Sequence, residues 1–160
     1  MKIGVISDTH DNLKAIAKAV EFFNREKVDQ VLHAGDIVSP FTFNEFKKLQ
    51  APLWAVFGNN DGEKILLKEK IKGTGEIYEQ YFEKEWEGKK IVVMHEPKFL
   101  EALRDSGRYD VVIYGHTHRP EVREGKVLIF NPGECCGWVT GKSTVGLLEL
   151  PSLQARVVEL

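Results

Sequence analysis

The sequence predicts an α/β fold in which two β-sheets pack face to face with helices outside. Three observations carry this expectation. The first half alternates short apolar runs with helical periodicities, the pattern of βαβ units and a largely parallel sheet. The second half is β-rich, with apolar runs paired around turn residues. Five apolar runs also end in Asp, Asn or His, at strand ends where open α/β sheets collect their ligands.

Taken in order, Ile3–Ile6 is the first strand-like run. After His10, Leu13, Ile16, Ala17, Val20 and Phe23 fall on one helical face, with Asp11 or Asn12 as cap. Val31–Leu32 follows as a strand. Ser39-Pro40 has the form of an N-cap with Pro at the first helical position, and Phe43, Phe46 and Leu49 continue at helical spacing. Leu53–Phe57 is the third run, and Asp61-Gly62 opens a weaker helix through Ile65 and Leu66. Tyr78, Phe82 and Trp86 lie at even spacing, as in a strand. Gly88-Lys89-Lys90 marks a turn before Ile91–Met94, and Pro97 to Ser106 is a short helix candidate. Val111–Tyr114 is the fifth run. Beyond His118, hairpin turns fall at Glu124-Gly125 and near Pro151-Ser152. No repeat or linker divides the chain, so one domain over 1–160 is expected.

The chain has 22 basic and 24 acidic residues and a net charge of −2. That balance supplies no electrostatic footprint for long nucleic acids but leaves room for a nucleotide or another small phosphate ester. Hydrophobic residues make up 42% and charged residues 29%, a globular composition. No stretch approaches the ~20 apolar residues of a membrane span. Cys135 and Cys136 are adjacent, which suits neither a disulfide framework nor CxxC zinc spacing. A reduced, cytoplasmic compartment is the simplest expectation.

The five strand-end segments are Asp8-Thr9-His10, Gly35-Asp36, Gly58-Asn59-Asn60-Asp61, Met94-His95 and Gly115-His116-Thr117-His118. Each has a bland reading when taken alone. Asp8-x-His10 reads as a helix cap with a surface histidine, Gly35-Asp36 and Asn59-Asn60-Asp61-Gly62 as turns, and His95 as a satisfied histidine at a strand end. Together they hold four of the five histidines, and imidazole with carboxylate suits Mn, Fe, Ni or Zn. A carboxylate can bridge two cations. The fifth histidine, His33, is expected to be buried or to support a ligand rather than act as one.

In this order the blocks resemble the signature of the calcineurin-like metallophosphoesterase superfamily, and the short chain resembles its small bacterial and archaeal phosphodiesterases. The likeness runs from Asp8 to His118, with more at Asn131-Pro132-Gly133. It implies a four-layer α/β/β/α sandwich of two mixed β-sheets flanked by helices. It also implies two divalent transition-metal ions (Mn, Ni, Fe or Zn). Asp8, His10, Asp36 and His118 would hold one; Asp36, Asn59, His95 and His116 would hold the other, with Asp36 bridging. Such a pair activates water for hydrolysis of a small phosphodiester or nucleotide-like substrate. Relatives often form dimers or higher assemblies, so a homo-oligomer is one expectation.

Two positions depart from the resemblance. Glu134 stands where the family often has Ser after Asn-Pro-Gly. Asn60 stands where many of its phosphatases carry a His that protonates the leaving oxygen. Slow hydrolysis of phosphomonoesters follows, and Asn60 and Asp61 become candidate catalytic residues. Capping the next helix is the competing role for Asp61. Two other functions compete. The same fold serves as a non-catalytic interaction scaffold in eukaryotic membrane-coat assemblies, and the superfamily includes nucleases. Intact ligand positions argue against the first, and the absence of a basic stripe argues against the second.

Overall fold

The computed structural model describes residues 1–160. Its first sheet has the order β11-β10-β1-β2-β3-β4. Strands β1 (Lys2–Ile6), β2 (Gln30–His33), β3 (Leu53–Val56) and β4 (Gly75–Tyr78) run parallel; β10 (Thr144–Glu149) and β11 (Gln154–Glu159) extend the sheet antiparallel. The second sheet has the order β5-β6-β7-β9-β8. Within it β6 (Lys89–Met94), β7 (Val111–Ile113) and β9 (Leu128–Asn131) are parallel, flanked antiparallel by β5 (Tyr81–Trp86) and β8 (Glu121–Arg123). Both sheets are therefore mixed, as expected.

Side-chain alternation builds the layers. On β1, Ile3 and Val5 join a core with Ile91, Val93, Val111, Ile113 and Phe130 of the second sheet. Ile6 instead joins the core beneath α1 (Leu13–Glu26), where Ile16, Ala19, Val20 and Phe23 are buried. Val92, Val112, Tyr109 and Val127 form a third, smaller core on the far face of the second sheet, packed by Leu100 and Leu103 from α4 (Leu100–Asp105). The order is helix, sheet, sheet, helix.

Asn12, not Asp11, caps α1: its side chain accepts from the Ala15 N–H at 3.2 Å. Lys27 ends the helix in the left-handed conformation. Of the expected apolar face, Ile16, Val20 and Phe23 are buried, whereas Leu13 is 39% exposed. Three local expectations are corrected. Ser39 does not cap a helix with its side chain, because its hydroxyl donates to Asp11 at 2.7 Å; only a 3₁₀ turn (Pro40–Thr42) and the single turn of α2 (Phe43–Phe46) follow. Asp61 does not cap α3 (Lys64–Lys70), because backbone N–H groups of other loops hold its carboxylate. Tyr78 and Phe82 do not share one strand. The chain breaks at Glu79-Gln80 and crosses from the edge of one sheet to the edge of the other. Their rings still meet, with centroids 4.9 Å apart, which hides the break from the sequence pattern.

Candidate metal centre

Five parallel strands, β1, β2, β3, β6 and β7, deliver their C-terminal loops to one place. Backbone bonds join the loops: Asp8 N–H donates to the Gly35 carbonyl at 3.0 Å, and Gly115 N–H to the His95 carbonyl at 3.0 Å. Two glycines permit the close approach. A Cβ on Gly58 would lie 2.1 Å from Asp36 Oδ1, and one on Gly115 would lie 2.0 Å from Ser7 Oγ. The turns are tight enough that Asp8, His10, Asp36, His116 and His118 all take positive φ, between 37° and 66°. Non-glycine residues rarely adopt that conformation, and its strain gathers at functional sites.

All seven expected ligand residues come together, in two sets. In the first, His10 Nε2 lies 3.8 Å from Asp8 Oδ1 and 3.5 Å from Asp36 Oδ2, and His118 Nε2 lies 3.5 Å from Asp8 Oδ1. In the second, His95 Nε2 lies 3.4 Å from Asp36 Oδ2, 3.3 Å from His116 Nδ1 and 2.9 Å from Asn59 Oδ1. Asn59 Oδ1 is also 2.9 Å from His116 Nδ1. Asp36 Oδ2 belongs to both sets. Atoms bound about 2.1 Å from one ion stand roughly 3.0–3.4 Å from each other, and the spacings here, 2.9–3.8 Å, bracket that range.

The donor chemistry fits a cation too. Asp8 Oδ1 and His10 Nε2 are buried and have no hydrogen-bond partner. Buried polar atoms are seldom left so, unless an ion or water completes them. His95 Nδ1 faces the Ala34 carbonyl at 2.8 Å, so the proton sits on Nδ1 and Nε2 turns its lone pair inward. His118 does the same with Glu134, its Nδ1 lying 2.8 Å from Oε2. Burial pushes the Asp36 carboxyl up, but the His95 imidazole beside it and the two Asn60 donors outweigh this and hold the group well below the usual carboxylate range.

The other expected residues surround this focus. Asn60 grips Asp36: its N–H donates to Oδ1 at 2.9 Å and its Nδ2 to Oδ2 at 2.8 Å. Asp61 is buried and accepts N–H bonds from Gly58, Asp36 and Val38, tying two loops together. Its carboxylate orients the loops around Asp36. His33 lies on the helix side of β2, edge-on to Phe46. Its Nδ1 accepts from Gly35 N–H at 3.1 Å, so Nε2 carries the proton toward Thr9 Oγ1, which bonds the Asp36 carbonyl. Burial holds this imidazole neutral, at about 3. Its hydrogen bonds support the Asp36 loop.

The sequence did not assign Glu134 its place. The residue is fully buried and turned inward. It accepts from His118, from the Cys136 thiol at 3.1 Å, and from the Val139 and Thr140 N–H groups. Burial raises its pKa, but these donors, His118 first, bring it down to about 2. The only sequence signal was that Glu replaces the family's frequent Ser. Cys136 Sγ lies beside His10 and His118, the three donor atoms within 4.8 Å of one another.

Residues 1–152 match the calcineurin-like phosphoesterase superfamily domain, and the chain belongs to that superfamily of hydrolases. The family uses divalent metal ions. The chain is similar to a phosphodiesterase of Methanocaldococcus jannaschii, at 46% identity over 100% of this chain and 99% of that protein. A solved archaeal phosphodiesterase superposes with a TM-score of 0.93 at 45% identity, covering 100% of both chains. Vacuolar protein sorting 29 from Cryptosporidium parvum shares the fold, with a TM-score of 0.72 at 19% identity over 99% of this chain and 96% of that one. No helix is long and apolar enough to cross a membrane.

Glu134→Gln keeps an oxygen for the backbone donors but removes the charge behind His118. Mn²⁺ affinity, measured by titration calorimetry, is expected to fall about 10–100-fold. Unchanged affinity would show that Glu134 merely ties down the following loop.

Proposed function

We propose that this chain is a phosphodiesterase that works with two divalent transition-metal ions, Mn, Ni, Fe or Zn, on small phosphodiesters. One observation carries the reading: Asp36 Oδ2 stands within 3.5 Å of donor nitrogens in both sets, 3.5 Å from His10 and 3.4 Å from His95. Asp8, His10, Asp36 and His118 would hold one ion, and Asp36, Asn59, His95 and His116 the other. Residues 1–160 act as one metallophosphoesterase domain, since both sheets donate to this centre.

Bound there, the ions would lower the pKa of a water and offset charge on the phosphate. The side chains position and hold protons. Asn60 fixes both oxygens of the shared carboxylate, and Asp61 sets the loop that carries it. His116 and Asn59 are exposed at the mouth, where an incoming phosphate arrives. No side-chain nucleophile competes. Ser7 is buried and donates to Asp8, and the buried Cys136 thiol donates to Glu134 at 3.1 Å. Position 60 offers an amide where a proton donor would stand, so poor alkoxide leaving groups depart slowly. The near-neutral chain, with 22 basic and 24 acidic residues, favours small esters over long nucleic acid. Buried free Cys135 and Cys136 suit a reducing cytoplasm.

With Mn²⁺ or Ni²⁺ the purified chain should hydrolyse bis(p-nitrophenyl) phosphate, and Asp36→Asn should lower kcat/KM on the order of a hundredfold or more. A folded, metal-loaded chain inert toward every diester would refute the proposal. Asn60→His should raise the ratio of p-nitrophenyl phosphate to diester turnover on the order of tenfold or more. The ratio is the proper reading, because the substitution also removes the Asn60 Nδ2 bond to Asp36. An unchanged ratio at saturating metal would sink this account of specificity.

A further inference from the structure

A groove of about 630 Å³ opens beside the metal centre, with Asn59 and His95 in its lining. We propose that it binds the second ester arm of the substrate, and that this arm is an uncharged aromatic or apolar alcohol. The proposal rests on the phosphodiesterase reading and specifies which diesters are taken.

The volume falls within the ~300–1,000 Å³ typical of small-molecule sites. Apolar lining comes from Phe57, Tyr81, Met94, Phe99, Leu103 and Tyr109. Two of these rings are open to solvent, Tyr81 at 56% and Phe99 at 80%. Phe99 sits at a left-handed turn, with φ 57°, just ahead of α4, a helix without a fully buried residue. Phe57 and Tyr109 are buried in the groove's walls, and the exposed rings of Tyr81 and Phe99 stand beside them; large apolar side chains exposed at one cleft mark a binding surface.

Charge decides what kind of arm enters. The lining carries three cations, Lys64, Lys98 and Arg108, and three carboxylates, Glu79, Glu83 and Glu96. Each cation has an acidic partner in the same groove: Lys64 with Glu79 at 3.9 Å, Lys98 with Glu96 at 2.8 Å, and Arg108 with Glu83 at 2.8 Å. Glu83 also accepts from the Tyr109 hydroxyl. Glu79 also takes the ion pair of Lys68, so every charged side chain of the lining is paired and no unpaired cation is left to draw a further phosphate. The single phosphate would go to the ions, and the groove, with its charges paired among themselves, would take an apolar arm. Pyrophosphates and oligonucleotides, which bring additional charge, fit this division poorly.

The test compares phenyl p-nitrophenyl phosphate with methyl p-nitrophenyl phosphate on the Mn-loaded chain. Both release p-nitrophenolate and differ in the other arm. The phenyl ester should show a KM about tenfold lower or better, the scale expected from burying a ring. Leu103→Glu, a partly exposed position, should collapse that advantage. Adding a 3′-phosphate to the nucleoside arm of thymidine 5′-(p-nitrophenyl phosphate) should not lower KM. Equal KM for the two aryl and alkyl esters, an advantage untouched by Leu103→Glu, or tighter binding of the charged arm would each overturn the groove assignment and leave phosphodiester hydrolysis standing. If neither ester is turned over, the functional reading fails instead. The groove is then judged by NMR titration of the zinc-loaded chain with diphenyl phosphate: amide shifts at Tyr81, Leu103 and Tyr109 support it, and their absence refutes it.

Discussion

The carboxylate of Asp36 is the constraint around which the rest is arranged. It is buried, negatively charged, and held by both donors of Asn60 while two imidazole nitrogens approach one of its oxygens. A buried anion in this position demands positive charge nearby, and fixed groups to aim it. The surroundings supply the aim: Asp61 binds the Asp36 N–H, and His33 works through Thr9 on the Asp36 carbonyl. Divalent ions would supply the charge.

Two sheets are needed because one cannot bring enough donors to that carboxylate. Asp8, Asp36 and Asn59 follow strands of the first sheet, and His95, His116 and His118 follow strands of the second. The inter-sheet core of Ile3, Val5, Ile113 and Phe130 therefore does more than stabilise the fold. It fixes the relative position of two half-sites. The cost appears locally, in the run of positive φ values and in glycines that admit no Cβ. Glu134 completes the design from a third segment, reaching His118 from the loop after β9.

Much of this was legible in the sequence. The strand-end ligands could be read because apolar runs of β-type length ended in residues whose side chains have few other uses together. The layers followed from the change in periodicity near residue 78. What escaped was tertiary in origin. Ser39 and Asp61 carry good capping side chains, but stronger partners elsewhere, Asp11 and three backbone N–H groups, claimed them. Tyr78 and Phe82 kept the spacing of one strand while belonging to two sheets, because the sheet edges meet there. Glu134 gave no periodic or spacing signal, since its partners lie 16 residues back and 2, 5 and 6 residues ahead.

Electron paramagnetic resonance of the Mn²⁺-loaded chain tests the shared carboxylate most directly. Two manganese ions joined through Asp36 should give the spectrum of an exchange-coupled pair. A spectrum of isolated ions alone, at full metal loading, would contradict the account.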